Sequence, residues 1–169
     1  MKGRRPYGKG WRALDNKEFV LATMRSFGSG AAENLRQRAS SGEADGTAII
    51  AEEHFVPEWS PKSFLDIPLG SPYQHDGQVW TLLQPYDGTI YKDPPAKMRA
   101  QWGLCHTKDP SKAKPFVDPL GTSGLYYRGE CCTDPLHINP ETVFRLKVDK
   151  TDHRPSAYPQ VWEEVAAYD

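Results

Sequence analysis

The second half of this chain is written twice. Phe64-Leu65-Asp66-Ile67-Pro68-Leu69-Gly70 is answered by Phe116-Val117-Asp118-Pro119-Leu120-Gly121, and Val79-Trp80-Thr81-Leu82-Leu83 by Val143-Phe144-Arg145-Leu146-Lys147. Each copy closes on a proline-bearing turn and a tryptophan. Pro94-Pro95 precedes Trp102-Gly103-Leu104, and Pro155 and Pro159 precede Trp162-Glu163-Glu164-Val165. Order and spacing are kept at low identity, with extra residues ahead of Val143 in the second copy. A repeated aromatic unit this short suits a binding or assembly module more than an enzyme.

Composition says how such units must be built. Hydrophobic residues make up 38 % of the 169, below the usual globular share, while aromatics reach 11 % and prolines number 15. A chain poor in aliphatics but rich in Trp and Tyr forms small cores around a few large rings, joined by ordered loops. No apolar run approaches the roughly 20 residues that a membrane-spanning helix needs. The N-terminus carries charge without an apolar stretch, so no secretory signal is expected there. These features predict a soluble protein made in the cytoplasm.

The net charge of −1 hides an asymmetry. Residues 1–14 hold Lys2, Arg4, Arg5, Lys9 and Arg12 without an acid, which leaves the rest of the chain acidic. Glycines 3, 8 and 10 and Pro6 make this a flexible arm, with Arg4, Arg5, Tyr7 and Trp11 as candidate anchors. It suits docking on an acidic protein surface or on nucleic acid; the plain alternative is a solvated tail.

From Asp15 to His54 the pattern is helical. Asp15 is placed to cap a helix whose apolar face is Phe19, Val20, Ala22, Thr23, Met24 and Phe27, with Gly28-Ser29-Gly30 ending it. A second helix is expected through Ala31–Arg38, with Leu35 its only large apolar residue, broken by Ser40-Ser41-Gly42. A third, through Ala44–His54, turns Ala48, Ile49 and Phe55 toward something apolar. So few apolar positions do not make an independent core, so burial is expected against other copies of the chain or a larger partner.

From Val56 onward the signals are β. Asp76-Gly77 ahead of the alternating Gln78–Gln84 reads as a hairpin. In the second copy Gly124–Cys132 reads as one strand and Thr142–Val148 as its partner, burying Val143 or Phe144 with Leu146. The expected fold class is α+β: a basic arm over 1–14, a helical assembly region over 15–54, then two small, Trp-rich antiparallel β modules over 55–111 and 112–169.

Catalytic and metal chemistry find little support. Cys105, Cys131 and Cys132 do not form a disulfide framework, and with His106 and His137 their spacing lacks the two short ligand pairs of a structural zinc site. Small buried hydrophobes are the reading for these cysteines. Glu52-Glu53 and Glu163-Glu164 are adjacent carboxylates whose side chains diverge. Cys131 or Cys132 with His137 lacks an orienting third group. Asp152-His153 is expected in an exposed turn. No phosphate-binding glycine loop or zinc-protease helix motif occurs. No enzyme activity, cofactor or metal is expected.

Glu53-His54-Phe55-Val56-Pro57-Glu58-Trp59, His75 through Gln84 and the downstream Trp102 carry a resemblance. They resemble a phage virion module similar to type-3 chitin-binding domains, found in short head-fibre, tail or carbohydrate-binding proteins. Gly121–Tyr126, Gly129–Cys132 and Tyr158 through Val165 are similar to a variant ending of such proteins, so the likeness spans roughly residues 43–165. There are departures. Trp80 stands where the family carries Tyr, Gln84-Pro85-Tyr86-Asp87 replaces its Gln-x-His-Thr, and the second copy has Phe144 and an inserted Asp134–Glu141 loop.

The resemblance implies a virion protein, of head or tail, that displays carbohydrate-binding-like modules and adheres to bacterial surface polysaccharide. A homo-oligomer is expected, with a trimer as the reference case for fibres. Sugar rings stack on exposed aromatic faces while polar neighbours satisfy their hydroxyls. The rings available are Trp59, Tyr73, Trp80, Tyr91, Trp102, Tyr126, Tyr127, Tyr158 and Trp162. Trp59, Tyr91, Trp102, Tyr126 and Trp162 are the candidate carbohydrate-binding residues. Trp80 and Phe144 are expected in the core, and Tyr91 is the ring most expected at the surface. The alternative is a purely structural virion assembly protein whose β modules bind other virion subunits without sugar recognition.

Overall fold

The computed structural model describes residues 16–166. The cap at Asp15 and the anchors Arg4, Arg5, Tyr7 and Trp11 lie outside the described residues. The architecture is α+β, an N-terminal helix followed by mostly antiparallel sheets.

One helix, α1 (Asn16–Ser40), replaces the two expected from the sequence and runs straight through Gly28-Ser29-Gly30. A glycine inside a helix costs about 1 kcal/mol relative to alanine, which weakens the segment without breaking it when good helix formers flank it. Ala31, Ala32, Glu33, Leu35, Arg36 and Gln37 continue the helix, and Leu35 and Ala39 are buried against the body. The stop at Ser41-Gly42 is as expected. Gly42 adopts φ 78°, the Glu43 N–H donates to the Arg38 carbonyl at 2.9 Å and the Gly42 N–H to that of Ala39 at 3.2 Å. That is a left-handed C-terminal cap.

A short second helix, α2 (Gly46–Ala51), is capped by Asp45, whose carboxylate accepts the Ala48 N–H at 2.9 Å. It buries Ile49 and Ile50 with Leu35, Ala39, Ala44, Val56, Val79 and Cys105. The later half of the helical region therefore finds its missing burial on this chain's own first sheet, not on another molecule.

That sheet has the order β1-β2-β3, from β1 (Pro72–His75), β2 (Gln78–Leu82) and β3 (Trp102–Leu104), all antiparallel. Asp76 and Gly77 both take positive φ, 51° and 71°, as a two-residue hairpin turn demands. The core beneath it is Trp59, Phe64, Tyr73, Trp80, Leu82, Tyr86 and Trp102.

The second sheet has the order β4-β6-β7-β9, from β4 (Lys114–Pro115), β6 (Cys131–Thr133), β7 (Val143–Leu146) and β9 (Trp162–Val165). Beside it, β5 (Tyr126–Tyr127) pairs with β8 (Lys150–Thr151). The stretch Gly124–Cys132 is thus two strands, not one. Between them Gly129 turns the chain at φ 87° and donates its N–H to the Leu146 carbonyl at 2.9 Å. Phe116, Tyr126, Cys132, Phe144, Leu146 and Trp162 fill this core.

The repeat read in the sequence coincides with a repeated packing. Leu82 pairs with Trp102 across its sheet, and Leu146 with Trp162 across the other. Phe64 stacks on Tyr86 (5.0 Å, 19°) with Trp102 edge-on to both, and Phe116 stacks on Tyr126 (4.7 Å, 14°) with Trp162 at steep angles to both. The tyrosines come from different places: Tyr86 follows its central strand, whereas Tyr126 precedes its own. Pro95 and Pro155, from the proline-bearing turns, are fully buried. The two sheets are tied together by Gln78, whose amide donates to the Pro115 carbonyl at 2.8 Å, by Lys114 on the Gly77 carbonyl at 3.0 Å, and by the Cys131 N–H on the Thr107 carbonyl at 2.7 Å.

Candidate functional site

Four of the five candidate sugar-stacking rings are interior. Trp59, Trp102, Tyr126 and Trp162 are buried, Trp102 completely. The physical reason is size: a unit of some 50 residues has too little aliphatic volume to do without them, so the rings are the core. Trp80 and Phe144 are buried as expected. Tyr91 alone of the five presents its ring, at 63 % exposure, beside exposed Ile90. Its loop is held by Asp87, whose carboxylate accepts the Thr89 hydroxyl at 2.6 Å and its N–H at 2.9 Å, and whose carbonyl accepts the Tyr91 N–H at 3.0 Å. Those Thr89 hydrogen bonds hold the Asp87 carboxyl below its ordinary range. Tyr127 and Tyr158 are also exposed, and Tyr73 is buried.

A second apolar surface lies on α1. Phe19, Val20, Leu21, Met24 and Phe27 are all exposed, Phe27 by 76 %. Leu21, Met24, Gly28, Ala31 and Leu35 follow helical spacing, so the stripe that seats Leu35 on the body continues along the helix, where no described residue covers Leu21 or Met24.

Between the helices, the first sheet and the segment from Thr122 to Glu130 that carries β5 lies a cleft of about 610 Å³. Its polar lining includes Thr81, Arg99, His106, Thr122, Ser123 and Glu130. The His106 ring stacks on Tyr126 (3.8 Å, 8°), and its Nδ1 lies 2.8 Å from the Glu130 carboxylate, which also accepts the Tyr127 N–H at 2.8 Å. A carboxylate partner places the proton on Nδ1 and leaves Nε2 facing away from it. That Nε2 is buried without a hydrogen-bond partner, on a side chain only 6 % exposed.

Arg99 crosses from the first sheet's side of the cleft to the second. It lies over the Trp80 ring at 4.8 Å and donates to the carbonyls of Ala96 and Asp118, each at 3.1 Å. Its Nη1 is buried and unpartnered, and Gly124 (φ 80°) leaves it room, since a Cβ there would stand 2.9 Å from that nitrogen. Burial pulls the guanidinium below its ordinary value.

No known protein family, characterised protein or solved structure matches the chain.

The remaining chemical candidates are dispersed. All three thiols are free and buried, with Cys105 pushed up to about 12 by burial and Cys131 and Cys132 raised by the same cause. His137 packs edge-on against Phe144 at 5.0 Å and meets the backbone of Asn139. Glu52 pairs with Arg38 at 2.9 Å and Glu53 with Lys114 at 2.5 Å, on separate partners. Asp152 and His153 are exposed and 3.4 Å apart. Among the described residues no group of three or more His, Cys, Asp or Glu could hold a metal, and no helix is long and apolar enough to cross a membrane.

Sequence reading missed the His106–Glu130 pair and Arg99. In the sequence His106 stands out only beside Cys105, and no local spacing links it to Glu130, 24 positions away. The register of the second sheet joins them, through the Cys131–Thr107 bridge.

Proposed function

We propose that this protein is a non-catalytic assembly subunit that oligomerises through the free half of α1 and presents its paired β units to neighbouring subunits. The observation that carries this reading is the row of exposed large apolar side chains, Phe19, Val20, Leu21, Met24 and Phe27, on a helix that also contains two glycines. A bare helix of about 15 residues is marginal in water even with good helix formers. A second copy is the occupant this face suits. Ala22, Ser26 and Gly30 form a small-residue groove at four-residue spacing beside Phe19 and Phe27, so the surface offers both knobs and holes to its own copy. A face this wide, beyond a two-position seam, favours three helices or more, in keeping with a trimer.

A phage virion, head or tail, is the setting implied by the residues that resemble such modules, and other virion subunits are then the partners of the β units. The buried rings support this structural version over an aromatic sugar-binding face. Adhesion to bacterial surface polysaccharide is retained as a second reading because Tyr91 and Ile90 are held out on the Asp87 turn. The experiment is light scattering on the full chain and on Phe19→Glu/Phe27→Glu. A wild-type oligomer that becomes a folded monomer in the variant supports the reading. A monomeric wild type, or equal masses for the two, overturns it.

A further inference from the structure

The cleft beside the first sheet has features that the assembly reading does not use. It is large enough for a mono- or disaccharide, since small-molecule sites run from about 300 to 1,000 Å³. Two of its lining side chains keep a buried nitrogen without a partner, His106 at Nε2 and Arg99 at Nη1. A buried polar group left unmet is destabilising, so each is a place where a ligand or ordered solvent is favoured.

Their charges indicate which ligand. Glu130 is already engaged by His106 and by the Tyr127 N–H. Arg99 donates only to carbonyls and, among the described residues, forms no ion pair. Although the cleft also contains the engaged Glu130 carboxylate, Arg99 is therefore a half-buried cation with no anion paired to it. Around it stand a histidine nitrogen and the hydroxyl-bearing residues Thr81, Thr122 and Ser123. A lone inorganic anion would answer the charge and leave the hydroxyls and the apolar wall of Leu83 and Leu125 unused. A neutral sugar would do the reverse.

We propose that the cleft between the first sheet and the Thr122–Glu130 segment is a binding site for a sugar acid, its carboxylate in the field of Arg99 and its hydroxyls meeting His106 and the Thr81, Thr122 and Ser123 side. The site stands apart from the assembly reading, because Ala39 is the one α1 residue in its lining. It also stands apart from Tyr91, which is not part of the cleft.

The test uses the full chain titrated calorimetrically with galacturonate, galactose and acetate, with amide chemical shifts followed in parallel. Galacturonate should bind saturably and at least tenfold more tightly than galactose or acetate, shifting the amides of Ser123, Leu104 and Glu130. His106→Gln should weaken binding at least fivefold, while Tyr91→Ala leaves it unchanged. Should His106→Gln fail to fold, the shift map on the wild-type chain decides the site. Absence of saturable binding, equal affinity for galactose or acetate, shifts confined to the Tyr91 loop, or loss in Tyr91→Ala alone would each overturn the proposal.

Discussion

Trp102 donates its indole N–H to the hydroxyl of Tyr86 at 3.0 Å, and both residues are buried. The bond explains why a tyrosine serves where a phenylalanine would fill the same space, since it satisfies the one polar atom that the indole brings into the core. Tyr86→Phe should cost about 1–3 kcal/mol, the penalty of an unmet buried donor. Trp102→Ala should cost about 3–5 kcal/mol through the cavity it leaves. Tyr91→Ala, on the exposed loop, should stay within about 0.5 kcal/mol of wild type. Urea unfolding of the three variants checks the ranking, and a Tyr91 effect as large as that of Trp102 would contradict the placement of these rings.

Acid sensitivity should trace to Asp134. Burial of this carboxyl pushes its pKa up, but hydrogen bonds from Ser156 and the Leu136 N–H, together with the Arg154 charge, outweigh it and leave the carboxyl below its ordinary value. A carboxyl depressed in the folded state stabilises fully above its unfolded pKa of about 3.9, and that stabilisation is lost as pH falls through the folded value. Asp134→Asn should therefore lose stability at pH 7 and narrow its gap to wild type below about pH 4. Thermal unfolding at pH 7 and pH 3 tests this; a gap that does not change with pH would contradict it.

Gly28 and Gly30 have nothing within 4 Å of where a Cβ would stand, and neither has a positive φ. Alanine at each should raise helix stability by about 0.5–1 kcal/mol. Far-ultraviolet circular dichroism should show more helix in Gly28→Ala/Gly30→Ala. Reduced helix in the dilute, unassembled chain would contradict the open space beside both glycines.

The thiols should be inert while the fold holds. With Cys105 pushed up to about 12 and the other two raised by burial, the reactive thiolate is scarce near pH 8. A disulfide thiol reagent should modify none of the three quickly in the native protein and all of them after denaturation. Fast modification of the native protein would place a thiol at the surface.

Much of the β half was legible because its signals are local. The Asp76-Gly77 pair specified its hairpin, and the repeated Val-aromatic-x-Leu runs marked two central strands whose leucines each pair with a closing tryptophan. The outward placement of Tyr91 followed from its polar turn. Four features escaped because they depend on distant partners. Gly28-Ser29-Gly30 reads as a break until the docking of Leu35 and Ala39 anchors the helix beyond it. The turn at Gly129 is fixed by Leu146, on a strand that follows later. Exposure of Trp102 and Trp162 turns on how little else fills each core, and His106 meets Glu130 only after the two sheets are joined.

The most direct measurement of the central claim is hydrogen exchange, followed by mass spectrometry, over a hundredfold range of protein concentration. Amides across Phe19–Phe27 should be protected at high concentration and lose that protection on dilution. Those of Val79–Leu82, in the middle of the first sheet, should stay protected throughout. Exchange over Phe19–Phe27 that is the same at every concentration, in a chain that remains monomeric, would contradict assembly through this helix.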